Sequence, residues 1–417
     1  MVAARVHASQ MVDKILTDQL PFRPLWPPKP PGHPRLLSVA PAYPIAHFLA
    51  PSRLAYEFFM MALDDLIVVK KIEDPQQVFT GLNGILAESE PFQNWISIYP
   101  LGFNTLNCWI QTREAVEGVL ELGRFRLIES TRGHEQLQDV LKEEFGVSRI
   151  NADEYRHQNT QGGGALAGEC LLAFPCHGAL DRRDLKAGQG FTFFCRLAEL
   201  FAQLSDSQNS SWPNGGRPLR HAFHVRSEDG FIDRHPLRSQ SRLNIDPSDE
   251  FYELLVEQDF GWFADRIFYP EDKVLRKLKT ALEHFSRAYR SEDKFVRLTA
   301  SVIAMEAAFY TAEKVSIGNR LSRLVSALCF PPPEQAQAFE TMKAIYCKRS
   351  KALHGDNVTV SATLAKQSHH FAALAKFQAF KLYSQLSESS AEGEIERRYL
   401  KALSDLVSSK GMQPEPR

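Results

Sequence analysis

The spacing of apolar residues along this chain changes character near Pro270. Before it, short apolar runs alternate with polar or glycine-rich gaps. DLIVVKKI (65–72), NWISIYPLGF (94–103) and ECLLAFPC (169–176) suit strands. SRLAYEFFMMALDDL (52–66) and HEQLQDVLKEEFG (134–146) carry the three-and-four spacing of amphipathic helices. NTQGGGALAGE (159–169) and SDSQNSSWPNGGRP (205–218) read as exposed loops. After Pro270 glycine nearly disappears and helical periods follow one another. They run from about Glu271 to Tyr289, Asp293 to Ala312, Gly318 to Cys329 and Glu334 to Leu353, then near 360–388 and 393–408. The second has Phe295, Leu298, Val302, Met305 and Phe309 on one stripe, and three prolines at 331–333 stop the third.

The pattern predicts a multidomain chain: an N-terminal mixed α/β or α+β domain followed by an all-α helical bundle. A helix and a proline-rich strap occupy 1–50, a mixed domain in a sensing or regulatory role 51–265, the bundle 268–408 and a tail 409–417.

One position breaks the pattern. In the fourth helix Phe339, Met342, Tyr346 and Leu353 form an apolar stripe, and Arg349 fills its gap. A charge on such a face needs a partner, because an unpaired buried guanidinium costs several kcal/mol. Glu306, the sole acid of the second helix between Asp293 and Glu313, borders that helix's stripe and is the expected partner. Arg320 and Arg323 open the third helix and either share that carboxylate or stay solvated. His354 follows Arg349 by five residues, a separation of about 140° around an unbroken helix. Gly355 reads as the helix stop, which lets the chain turn His354 back toward the arginine. A fixed guanidinium and an imidazole are suited to phosphodiester chemistry, since one grips phosphate oxygens and the other moves protons. The plain alternative is a structural ion pair at Arg349 and a histidine favoured by the helix dipole.

Composition narrows the field. The hydrophobic share of 44% and charged share of 24% are those of a folded chain, and the net charge of −1 gives no overall pull toward nucleic acid or anionic lipid. Charge is regional: from Glu271 to Asp356 fifteen Lys/Arg stand against ten Asp/Glu. The six cysteines are scattered, and no stretch approaches the ~20 apolar residues of a membrane span, so a reducing cytoplasmic setting is expected, with no membrane partner.

Other chemistry is weaker. Cys170, Cys176 and His177 lie close together but lack a second pair at zinc spacing, and a buried-thiol reading is preferred. His221, His224, Asp229 and His235 read as a polar loop or edge strand before a metal site. The histidines of SHH (368–370) read as solvated or interfacial. No metal and no cofactor are expected.

Three segments in order, RLTASVIAMEAAFY (297–310), IGNRLSRLVSALC (317–329) and YCKRSKALHG (346–355), resemble the HEPN superfamily and within it the Apea-like HEPN domains. The likeness covers roughly the last third of the chain. It implies a dimerising helical bundle that, in active members, is a metal-independent endoribonuclease with its site in the dimer cleft. Arg349 and His354 match the catalytic pair of that family, with Glu306, Arg320 and Ser350 at supporting positions. Serine after the arginine departs from the asparagine, aspartate or histidine of many active members and suits the Apea-like branch. The resemblance further implies RNA as substrate, a homodimer through the bundle and a place in anti-phage abortive infection or toxin-like defence. The trigger would be a phage-derived molecule or partner protein at the N-terminal domain. The alternative is a non-catalytic dimerisation or docking module with a structural Arg349.

Overall fold

The computed structural model describes residues 66, 70, 77, 80, 81, 92–101, 118–128, 134–161, 166, 170–179, 183–205, 221–227, 230–236, 249–258, 260–310, 317–354, 358–388 and 394–409. The strap at 1–50, the glycine loop at 162–165, Cys108, Asp229 and Gly355 lie outside the described residues.

Six strands form one antiparallel sheet: β1 (Phe92–Pro100), β2 (Val119–Leu122), β3 (Phe125–Ile128), β4 (Leu171–Ala179), β5 (His221–Arg226) and β6 (Ile232–Pro236), in the order β2-β3-β4-β1-β5-β6. Strand alternation gives the sheet two apolar faces. Ile96, Ile98, Leu171, Ala173, Phe223 and Val225 point to one side, under Leu137 and Leu141 of α1 (His134–Phe145) and Tyr155 of α2 (Ala152–Gln161). Tyr99, Leu122, Phe125, Leu172 and Phe174 point to the other, under α3 (Arg183–Leu204).

Helix α3 is apolar on most of its circumference because it is covered twice, by the sheet and by the helices beyond it. Gly190 is required there: a Cβ would stand 2.5 Å from the Phe174 ring. Its far side carries Phe201, which meets Phe260 and Phe377 at ring-centre distances of 5.2 and 6.0 Å. Helices α4 (Asp249–Glu257) and α5 (Phe260–Phe268) follow, then the helical region: α6 (Lys273–Arg290), α7 (Lys294–Ala308), α8 (Ile317–Cys329), a 3₁₀ turn at Pro332–Glu334, α9 (Gln335–Leu353), α10 (Ala362–Ser387) and α11 (Ile395–Ser409). Asp272, Asp293 and Ser361 cap α6, α7 and α10 by accepting backbone N–H bonds. The chain thus combines helices with an antiparallel sheet and ends in a helical region.

The expected periods after Pro270 correspond to α6 to α11. The second stops at Ala308, four residues short of Ala312. Asn159–Gln161, read as loop, complete α2. The segment around His221 and His224 is a strand flanked on both sides, not an edge, because β6 closes that end of the sheet. His369 is buried, stacked on Phe285 at 4.5 Å, and not solvated. Cys170 and Cys176 are buried thiols. No helix among the described residues is long and apolar enough to cross a membrane.

Candidate functional site

Helix α9 buries Gln335, Ala338, Met342 and Ile345. This line corrects the expected stripe: Phe339 and Tyr346 are only half-buried, and Leu353 is 54% exposed. The buried line uses small Ala338 and branched Ile345 because they permit close approach to the neighbouring helices, which bulkier Phe339 would not. Arg349 is the next residue on the same line, four after Ile345, where the helix begins to leave the protein interior. Its guanidinium is therefore placed at the rim.

There Arg349 Nη2 donates to Glu306 Oε2 at 3.1 Å, with the two side chains 18% and 24% exposed. Glu306 is in the last turn of α7, so the pair joins α7 to α9. Tyr346, one turn before Arg349, hydrogen-bonds the same carboxylate, and its ring centre lies 5.7 Å from the guanidinium carbon. Burial raises the Glu306 pKa, with Arg349 and Tyr346 opposing it. The Tyr346 pKa is raised by burial and then by Glu306.

Helix α8 completes the rim. A Cβ at Gly318 would stand 2.6 Å from the Tyr346 ring, so glycine lets the start of α8 press on that tyrosine. Arg320 is half-buried in the first turn of α8, and Arg323 follows it by three residues. The Nε atoms of Arg323 and Arg349 are buried and, among the described residues, have no hydrogen-bond partner.

His354 is the C-cap of α9, with its backbone N–H on the carbonyls of Ser350 and Lys351, both at 3.1 Å. Its side chain is exposed and, among the described residues, bonds neither Arg349 nor Glu306. Ser350 is half-buried outside the Arg349–Glu306 contact. The structure therefore brings together Arg349 and Glu306, places Arg320 on the adjoining helix, and leaves His354 one turn away on the surface. Tyr346 was hidden from sequence reasoning by its resemblance to a core aromatic; its position three residues before Arg349 was the available signal.

A second polar cluster, on the sheet, was not foreseen. Asp184 of α3 lies 3.2 Å from His224 of β5 and 2.9 Å from His235 of β6. Among the described residues no group of three or more His, Cys, Asp or Glu is arranged to hold a metal ion.

No family model matches the chain, and no curated protein or solved structure is detectably similar to it. The HEPN reading accordingly rests on the three quoted segments and on the rim of α7, α8 and α9.

Proposed function

We propose that this rim is an RNA-cleaving site of the HEPN type, working without metal as an effector of anti-phage or toxin-like defence. The observation that carries the reading is the half-buried Arg349, held on Glu306 at the rim and followed five residues later by an exposed histidine. RNA brings its own nucleophile, the 2′-hydroxyl, so cleavage needs a proton acceptor, a proton donor and a cation for the charge on phosphorus. His354 transfers protons at the 2′-hydroxyl or the leaving oxygen. Arg349 grips the phosphoryl oxygens while Glu306 orients it and Tyr346 braces Glu306. One histidine is a short supply, and a symmetric pairing of two bundles in the cytoplasm would supply a second Arg349 and His354 to the same cleft.

The test is cleavage of RNA by the purified full chain in chelator, wild type against His354→Ala. Loss of proton transfer is expected to slow cleavage by about 10²–10⁴-fold while helicity stays unchanged. Cleavage that requires added divalent metal, or that survives His354→Ala, overturns the reading.

The same geometry favours a second reading, a non-catalytic docking module. Arg349 is already matched by Glu306, and His354 makes no contact with either. That reading expects His354→Ala to be silent in RNA cleavage and in growth arrest alike.

A further inference from the structure

The sheet cluster lies far from the rim in sequence and is independent of the reading above. Ser97, His224, Asp233 and His235 point from β1, β5 and β6 to the face covered by α3; His224 pairs across the sheet with Ser97 on one side and Asp233 on the other. Ser97 Oγ lies 3.0 Å from His224 Nδ1. The other ring nitrogen of His224 is 3.2 Å from Asp184 Oδ1. Asp184 Oδ2 meets His235 Nδ1 at 2.9 Å, and Arg183 Nε donates to Asp184 at 3.1 Å. Arg183 Nη2 also donates to Asp233 at 2.6 Å, and its guanidinium lies over Trp95 at 4.7 Å.

The hydroxyl, imidazole and carboxylate stand in the order of a nucleophile, its base and an orienting acid. Ser97 has no exposed surface, however, so no substrate reaches it. What the cluster does hold is the start of α3. Asp184 and Arg183 form its first turn; their side chains reach the sheet at His224 of β5, Asp233 and His235 of β6 and Trp95 of β1, and the Arg183 carbonyl accepts from Cys176 Sγ of β4 at 4.0 Å.

We propose that Ser97, His224, Asp184 and His235 form an acid-operated clamp that fastens the first turn of α3 to β5 and β6 and opens when His224 takes up a proton.

His224 is fully buried, and a charged imidazole there is opposed by desolvation. The groups facing it are Asp184 and Arg183 from α3, Asp233 and His235 from β6 and Ser97 from β1; beyond Ser97, Cys176 of β4 hydrogen-bonds the serine. Burial lowers the His224 pKa, Arg183 adds to this, and Asp184 and Asp233 oppose it without reversing it. Burial raises the Asp184 carboxyl, but His224 and Arg183 prevail and bring it down to about 2, so Asp184 stays charged throughout the window in which the histidine titrates. The sign follows. The closed clamp holds His224 neutral, whereas a released His224 binds a proton below about pH 6.5. Closure is therefore at full strength above that pH and weakens as pH falls through it.

Hydrogen–deuterium exchange of the full chain, corrected for intrinsic rates, reads the opening directly. Between about pH 7.5 and about pH 5.5 the opening constant of the first turns of α3 and of β5–β6 should rise about tenfold, with α6 and α7 unchanged. His224→Gln keeps a neutral side chain able to hydrogen-bond Ser97 and should abolish the pH dependence, whereas His235→Gln should leave most of it. Should His224→Gln fail to fold, the histidine NMR spectrum of the wild-type chain decides: besides the buried His369, whose pKa burial lowers to about 3, the clamp requires the ring assigned to His224 through its contact with Ser97 to resist protonation as pH falls to about 5.5, and a His224 ring that charges with the exposed histidines overturns it. Exchange that does not vary with pH, that loosens α3 and α6 together, or whose pH dependence vanishes with His235 and not His224, overturns the proposal.

Discussion

Lys376 of α10 has no exposed surface, and its Nζ has no hydrogen-bonding partner. It lies 5.2 Å from the Phe285 ring centre and 5.5 Å from that of Phe380, and burial drives its pKa far down, which disfavours the charged amine inside the protein. The unfolded chain protonates this lysine below about pH 10.4, so the folded state loses stability as pH falls below that value. Lys376→Met keeps the length and removes the unsatisfied donor. It is expected to stabilise by about 1–3 kcal/mol near neutral pH, with an advantage that shrinks as pH approaches the lysine range; denaturant melts at two pH values check both statements. Arg349 is the opposite case, since it is matched. A double-mutant cycle of Arg349→Met and Glu306→Gln should return a coupling of about 1 kcal/mol, discounted from a fully buried pair because both side chains are partly exposed.

At the scale of elements, the turn between β2 and β3 meets α5 through two glycines. Gly123 has φ +64°, and a Cβ on Gly261 would stand 2.4 Å from the Gly123 nitrogen, a backbone atom that has no rotamer by which to yield. Nearby, Arg124 donates its backbone N–H to Asp265 at 3.0 Å and lies over the Phe268 ring at 4.1 Å, so turn and helix are fastened together. Gly261→Ala is expected to cost about 1–3 kcal/mol and to raise exchange in β2 and β3 more than in α10. Elements of this kind also show what the sequence could tell. The helices α6 to α11 were legible because their signals are local: a period of three and four, the near absence of glycine, and the prolines at 331–333. The pairing of Glu306 with Arg349 was legible for the same reason, each standing in or beside the apolar stripe of its helix. The buried line of α9 was not. Two adjacent lines share Met342, and large Phe339 and Leu353 outweigh Ala338 in any hydrophobic pattern, although packing selects the smaller residue. The clamp was invisible because Ser97 and His224 are 127 residues apart and converge only through strand order.

Across the whole molecule, one apolar cluster runs from Tyr99 and Phe125 on the sheet through α3 to Tyr399 and Leu403 of α11. Polar contacts follow the same route: Glu199 of α3, fully buried, accepts from Ser286 and Arg290 of α6 at 2.6 Å each, and Arg196 donates to Glu283 at 3.0 Å. Burial raises the Glu199 pKa, with Arg290 opposing, so the carboxylate depends on its partners in α6. A fragment spanning 268–408 would lose Phe201 and Phe263 from against Phe377 and Phe380, and would leave Arg290 and Ser286 without their acceptor. Removing one buried Phe side chain costs about 3–5 kcal/mol, and folded domains have only about 5–15 kcal/mol in total. The fragment is therefore expected to be largely unfolded or aggregated at a temperature where the full chain is native, and the full chain to lose its sheet and helix signals in one transition. Circular dichroism of both proteins at matched concentration decides. A fragment as stable as the parent would mean that α3 merely touches the bundle, and that the proposed site can be studied without it; a labile fragment would require every test of Arg349 and His354 to be made in the whole protein.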